Sequence, residues 1–268
     1  MNDTTLDHIK KISEVINNYP EIAPQVEELA AAIQGKGFGA STIELEVQTC
    51  IALLGRRPSL AIDIGANIGN YTAELLRVAP GIEVHSFEPS ATNILILKDR
   101  FHTYSNVVLC PHGASNKSRS AELFSDQLGS GLASLNVRRL DHFGINFGES
   151  EAVELVRFEE YWKSSLMMRD IDILKIDTEG HELSVLEGLG DSVAAIDLIQ
   201  FEFGGCNIDS RTYFQDFWYF FQEHKFSLYR ISPLGPVRIH RYDEKDKHFR
   251  TTNFIAKRID RKPITREI

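Results

Sequence analysis

The chain has 268 residues, enough for one large α/β domain with additions or for two small ones, and its 43% apolar and 25% charged content is usual for a soluble globular protein with a full core. A net charge of −9 argues against broad binding of nucleic acid or of an anionic membrane surface, since an acidic protein gains no favourable field from either. Cys50, Cys110 and Cys206 are scattered and form no C-x-x-C, which supports neither a disulfide framework nor a zinc knuckle; free core thiols in a reducing compartment are expected.

The first residues, Met1-Asn-Asp-Thr-Thr5, are polar and lack the layout of a signal peptide, and no apolar run approaches the roughly 20 residues that span a bilayer. A cytoplasmic protein without stable membrane insertion is expected. Residues 1–57 read as a helical cap. Leu6, Ile9, Ile12, Val15 and Ile16 recur at three- and four-residue spacing, the mark of one apolar helical face. Pro20 and Pro24 interrupt that pattern, Val26, Leu29, Ala30 and Ile33 resume it, and Gly35-Lys-Gly37-Phe-Gly39 breaks it again. A third helix is expected over Thr42 to Leu54. Such a cap would cover a cleft, help to bind substrate, join two copies into a homo-oligomer, or simply pack on a sheet, and the pattern leaves these open.

From 58 to 258 strands alternate with helices. Strands are expected at 60–64, 82–87, 106–110, 171–176, 196–203, near 226–231 and near 252–257, with helices at 69–78, 90–102, 182–188 and 211–224. This rhythm implies an α/β, doubly wound, mostly parallel sheet, whose ligands sit at the carboxyl ends of the strands. At the first of those ends, Ala61-Ile-Asp-Ile-Gly-Ala-Asn-Ile-Gly-Asn-Tyr-Thr72 runs from a strand through a glycine turn into a helix. Gly65 and Gly69 let the backbone approach a ligand where a Cβ would clash. At the second, Val84-His-Ser-Phe-Glu88 ends in an acid that would face a ribose diol. A dinucleotide fold would want G-x-G-x-x-G, but Asn67 stands where the middle glycine belongs, so a cofactor without pyrophosphate, S-adenosylmethionine, fits better.

Residues 115–158 break the rhythm with a Ser-, Gly- and Asn-rich stretch of the kind that forms lids or binding loops, with an extra strand expected over 152–158. Beyond it, Asp172-Ile-Leu-Lys-Ile-Asp177-Thr-Glu179-Gly180-His181-Glu182 is an apolar strand ending in a crowd of ionisable groups, and the next strand ends in Glu202. Asp177 and Glu202 at adjacent tips suit a divalent cation such as Mg²⁺, which would orient and acidify a hydroxyl. In a metal-free alternative, Asp177, Glu179 or His181 serves as general base. Phe214, Phe217, Trp218 and Phe221 recur at helical spacing and read as a core face, and Arg238-Ile-His-Arg-Tyr242 reads as a solvated basic hairpin. A basic tail covers 259–268.

The set Asp63-Ile-Gly-Ala-Asn-Ile-Gly-Asn-Tyr-Thr72, Phe87-Glu-Pro-Ser90 and Leu174-Lys-Ile-Asp-Thr-Glu-Gly-His-Glu182 resembles the FkbM family of S-adenosylmethionine-dependent methyltransferases over roughly residues 58–257. The resemblance implies the class I methyltransferase (Rossmann-like) fold and methyl transfer to hydroxyl oxygens of sugars, glycans, glycolipids or polyketide-type natural products. It implies that Asp63, Gly65, Ala66, Asn67, Gly69 and Asn70 line the methionine part of the cofactor, with contacts from Tyr71 and Thr72. It further implies that Glu88 accepts both ribose hydroxyls, that Pro89 and Ser90 flank the adenine, and that His112, Gly113 and Ala114 meet its edge. Asp177 would lie beneath the sulfonium. Two other readings stay open. An NAD or nucleotide-sugar oxidoreductase needs a pyrophosphate cradle and a Tyr-x-x-x-Lys that the chain does not contain. A non-catalytic binding module has no need of so many acids at neighbouring strand tips.

Overall fold

Alternating apolar runs and amphipathic segments build the chain, described in a computed structural model over residues 3–39, 42–244 and 248–259; the expected tail lies outside these from residue 260 onward. The N-terminal helices are α1 (Asp3–Asn18), α2 (Ala23–Ile33) and α3 (Ile43–Leu54). Then follow β1 (Leu60–Ile64), α4 (Asn70–Val78), β2 (Glu83–Phe87), α5 (Ala91–Phe101), β3 (Val107–Cys110), β4 (Gly113–Ser115), β5 (Arg119–Ser125), β6 (Glu149–Arg157) and α6 (Phe158–Ser164). The C-terminal half continues with β7 (Ile171–Ile176), α7 (Glu182–Gly188), β8 (Ile196–Phe203), α8 (Cys206–Ser210), α9 (Phe214–Glu223), β9 (Phe226–Arg230), β10 (Val237–Ile239) and β11 (Thr252–Arg258).

Among the described residues, eight strands form the main sheet in the order β10-β9-β11-β8-β7-β1-β2-β3. The five from β3 to β8 are parallel, while β11, β9 and β10 add on antiparallel. Every residue of β1 and β7 is buried, as expected of central strands covered on both faces. Strand β1 pairs with β2 on one side and β7 on the other, so the winding reverses at β1 and a crevice opens beyond the tips of β1 and β7.

The 115–158 stretch is more ordered than its composition suggests. Strands β5 and β6 pair antiparallel along their length, and β4 joins β6 in parallel to complete a three-stranded sheet. The strand expected over 152–158 is β6, while β4 and β5 were not expected, because only Leu123, Val153 and Leu155 form the buried apolar cluster of this sheet among Ser and Glu residues. Residues 126–148 remain a loop with one short 3-10 turn. Helix α6 and the edge strand β10 were likewise not expected. Strand β10 pairs with β9 in a hairpin, in keeping with the solvated reading of the basic run.

Helix α9 starts at Phe214, later than the expected 211, because Asp216 accepts the Tyr213 N–H (2.9 Å) and fixes the first turn. Its Phe214, Phe217, Trp218 and Phe221 are buried, whereas Tyr213 and Tyr219 are exposed, which is the core face the spacing indicates. Phe201 of β8 stacks on Phe217 (5.1 Å, 3° between planes), Phe221 (5.1 Å) and Phe254 (5.4 Å). Helix α3 shares the core on the other face of the sheet, where Val47 and Cys50 pack with Ala61, Ile173, Leu198 and Ile255. Helix α1 instead leaves Leu6, Ile9, Ile12 and Val15 exposed. The three cysteines are buried and free of disulfides. Among the described residues no helix is long and apolar enough to cross a membrane.

Phe201→Ala should remove the centre of the aromatic stack and cost about 3–5 kcal/mol, read as a lowered urea midpoint. A loss below about 1 kcal/mol would show that the stack does not hold α9 to the sheet.

Candidate active site

Four strand tips converge: Gly65 after β1, Glu88 after β2, Asp177 after β7 and Glu202 near the end of β8. Gly65 (φ +81°) lies so close to the β7 tip that a Cβ would sit 1.7 Å from the Asp177 carbonyl oxygen, so only glycine fits. Two clefts open around this contact. The first, of about 670 Å³, is lined by Glu88, Pro89, Asn93, Gly113 and Ala114, with Leu123 and Leu155 of the small sheet, Ala133 and Leu135 of the loop, and Glu179 and His181. The second, of about 590 Å³, is lined by Ala66, Asn70, Tyr71, Lys175 and Glu202, with Glu46 of α3 and Asn253 of β11. Gly65, Asn67 and Asp177 belong to both.

In the first cleft Glu88 is 5% exposed and is oriented by two backbone donors, Asn67 N–H (2.8 Å) and Ser90 N–H (2.9 Å). Burial nonetheless pushes its carboxyl above the ordinary range. Asn93 donates to Asn67 Oδ1 (3.2 Å), and its own Oδ1 has no hydrogen-bond partner among the described residues. A carboxylate and an unpartnered amide oxygen beside an apolar slot suit a ribose diol and a purine. The Asn67 N–H, which a dinucleotide would need at its pyrophosphate, is already committed to Glu88.

Several expected residues stand behind these walls. Asp63 is fully buried, accepts the Thr72 hydroxyl (2.7 Å) and faces Lys175 (3.7 Å), and Thr72 also meets Ser86 Oγ (2.8 Å), so neither lines a cleft. Gly69 was expected to face a ligand, but its open side packs on α5, where a Cβ would meet Phe101 at 2.5 Å and Leu97 at 2.7 Å. Ser90 contributes its N–H to Glu88 rather than a wall to the slot. His112 falls outside the lining, while its neighbours Gly113 and Ala114 are in it. Tyr71 lines the second cleft, with its hydroxyl bonded to Gln200 (2.8 Å).

Lys175 is the group that sequence reading passed over, although a lysine inside the apolar strand Ile171–Ile176 is a visible signal. Its ammonium pairs with Asp177 (3.1 Å) and lies 5.1 Å from the centre of the Tyr71 ring. Burial works to lower its pKa, but Asp177, Asp63 and Glu46 outweigh that and raise it. Glu179, in the left-handed region at φ +52°, is held by Arg138 (2.5 Å) of the 126–148 loop, and burial and Asp177 push its carboxyl up to about 8. Burial and Asp177 also raise Glu202 well above the usual range. Glu182 folds back onto the N–H groups of Thr178 (2.9 Å) and Gly180 (3.0 Å) and shapes the turn.

These partners do not fit the divalent cation expected on Asp177 and Glu202. Lys175 already supplies the positive charge at Asp177. The ligand atoms that do cluster within 4.8 Å belong to Glu179, Glu202 and Cys206. Of these, Glu179 is bound to Arg138, and burial keeps the Cys206 thiol protonated, a poor donor for Mg²⁺.

Residues 63–228, more than half of the chain, match the sequence profile described as the Methyltransferase FkbM domain. The chain belongs to this family. Its S-adenosylmethionine-dependent chemistry agrees with a cleft that offers acceptors for a ribose and no pyrophosphate cradle. Among solved structures, the chain is similar to a Streptococcus mutans protein described as a methyltransferase and solved with SAH (12% identity, 80% of this chain and 96% of that one, TM-score 0.46). An rRNA methylase from Streptococcus thermophilus (12%, 81% and 95%, 0.44) and precorrin-6y C5,15-methyltransferase from Geobacter metallireducens (10%, 79% and 87%, 0.43) are also similar. No curated protein sequence matches the chain.

His181 lies on the wall of the first cleft with Nε2 2.9 Å from Ser115 Oγ, and burial, with Arg119, pushes it from 6.5 down to about 4. Between those values the folded protein binds fewer protons than the unfolded chain. The stabilisation is thus complete above about pH 6.5 and is lost as pH falls toward 4. His181→Gln should flatten part of the acid-side fall in melting temperature; an unchanged profile would contradict the buried neutral imidazole.

Proposed function

We propose that the protein is an O-methyltransferase that moves a methyl group from S-adenosylmethionine to a hydroxyl of a sugar, glycan or polyketide-type product. The observation that carries this reading is the pair of clefts sharing Gly65, Asn67 and Asp177. One is built for a nucleoside, the other is polar, and a single carboxylate stands where they meet.

When bound, S-adenosylmethionine supplies an electrophilic methyl on a sulfonium. Glu88 and Asn93 take the ribose hydroxyls, and Pro89, Gly113 and Ala114 flank the adenine. The turn from Gly65 to Asn70 carries the methionine tail toward Asp177. Loop residues Ser130, Gly131, Ala133 and Leu135 roof the first cleft and exclude water from it. The acceptor hydroxyl enters through the second cleft. Asp177, paired with Lys175 (3.1 Å), would accept the proton of that hydroxyl, and the bound cofactor would supply the methyl group, with S-adenosylhomocysteine as the leaving group. Holding oxygen, methyl and sulfur in line is worth roughly 7–11 kcal/mol of barrier.

Glu88→Ala should weaken S-adenosylhomocysteine binding about tenfold to a hundredfold by calorimetry, as expected for lost hydrogen bonds to a charged group. Unchanged affinity would sink its ribose role. Asp177→Asn should lower turnover on a hydroxylated acceptor by about 10²–10⁴ while leaving cofactor affinity nearly intact. Retained turnover would remove Asp177 from the mechanism.

A further inference from the structure

The second cleft is built partly from outside the region that matches the family. Gly39, Ile43 and Glu46 precede it, and Asn253 follows it. Glu46 and Asn253 are each 4% exposed, yet both reach the cleft wall. Asn253 Nδ2 donates to Glu46 Oε1 (2.9 Å), which also accepts the Thr42 hydroxyl (2.6 Å), while Gln200 Nε2 donates to Glu46 Oε2 (2.6 Å). The network therefore fixes one carboxyl and one amide at the wall opposite the glycine turn.

Glu46, Asp177 and Glu202 all present carboxyls to this cleft. Lys175 is the one cation lining it among the described residues, and it is held between Asp177 (3.1 Å) and Asp63 (3.7 Å). Arg100, at the rim, is bonded to the Ile68 carbonyl (2.7 Å) and Asn70 Oδ1 (2.8 Å). Burial raises the carboxyls of Glu46 and Glu202 above the ordinary range, and a carboxyl accepts hydrogen bonds from hydroxyl groups. The Glu202 carboxyl makes no side-chain hydrogen bond to a described residue and lines the cleft. A phosphate or carboxylate entering here would find no uncommitted cation among the described residues that line the cleft, and a desolvated anion without a partner is costly.

We propose that Glu46 and Asn253, with Glu202, form the recognition wall for an uncharged polyhydroxylated acceptor, and that this wall excludes acceptors carrying phosphate or carboxylate beside the reacting hydroxyl. This inference rests on the methyl-transfer reading of the second cleft. Its specificity arises largely by exclusion: hydroxyls satisfy the wall, whereas anions leave it and themselves unpaired.

The test uses the full chain loaded with S-adenosylhomocysteine. Saturation-transfer NMR is recorded with methyl glycosides of common hexoses and deoxyhexoses, with D-glucuronate and with D-glucose 6-phosphate, at equal concentration. At least one neutral glycoside should bind, about tenfold more strongly than either anion. Glu46→Gln, which preserves shape, and Asn253→Ala should each weaken that binding while S-adenosylhomocysteine affinity stays near that of the parent, the reading being taken below the melting transition of each variant. Absence of binding by every neutral glycoside, equal binding of the anions, or unchanged binding in both variants would overturn the proposal. Failure of S-adenosylhomocysteine itself to bind would overturn the methyl-transfer reading instead.

Discussion

The backbone of Gly65 rests against the carbonyl of Asp177 with no room for a side chain between them, and both clefts depend on that contact. It brings the tips of β1 and β7 together where the sheet reverses its winding. The turn after β1 can then carry Asn67 toward Glu88 on one side and Tyr71 toward Lys175 on the other. A bulkier residue at 65 would push the tips apart and separate the nucleoside slot from the carboxylate that serves it.

Around this contact the protein concentrates acids that ordinary burial would neutralise. Lys175 answers two of them, Asp63 and Asp177, from within a buried strand. Arg138 answers Glu179 and lies 3.5 Å from Asp209, and Ser134 Oγ donates to the Glu179 carbonyl (2.7 Å), so the loop that roofs the first cleft is tied to the same turn. The first cleft, the loop that lines it and Asp177 thus share one set of charges. A change in any one would be felt by the others through short, poorly screened contacts.

The central strands were legible because β1, β7 and β8 are mostly apolar and rich in Ile, Leu and Phe, and Glu88 stood out because it is an acid just beyond the end of β2. Gly69 was misread because a glycine at a helix start serves equally to let Phe101 and Leu97 approach. In the small sheet β6 was legible over 152–158, whereas β4 is only three residues long and β5 carries exposed polar residues, so neither was expected. Glu46 and Asn253 carried no signal, since 207 residues separate them and only the packing of α3 against β11 joins them. The metal expectation finds no support for a local reason: Lys175, two residues before Asp177, already pairs with its carboxylate.

The central claim is that the glycine turn and Glu88 serve a cofactor without a pyrophosphate. Calorimetric titration of the full chain with S-adenosylmethionine and with NAD, each with and without Mg²⁺, tests it most directly. Micromolar binding of S-adenosylmethionine, indifferent to Mg²⁺, with none of NAD, is the expected result. Binding of NAD alone would contradict the account, and binding of S-adenosylmethionine only with Mg²⁺ would contradict the role given to Lys175.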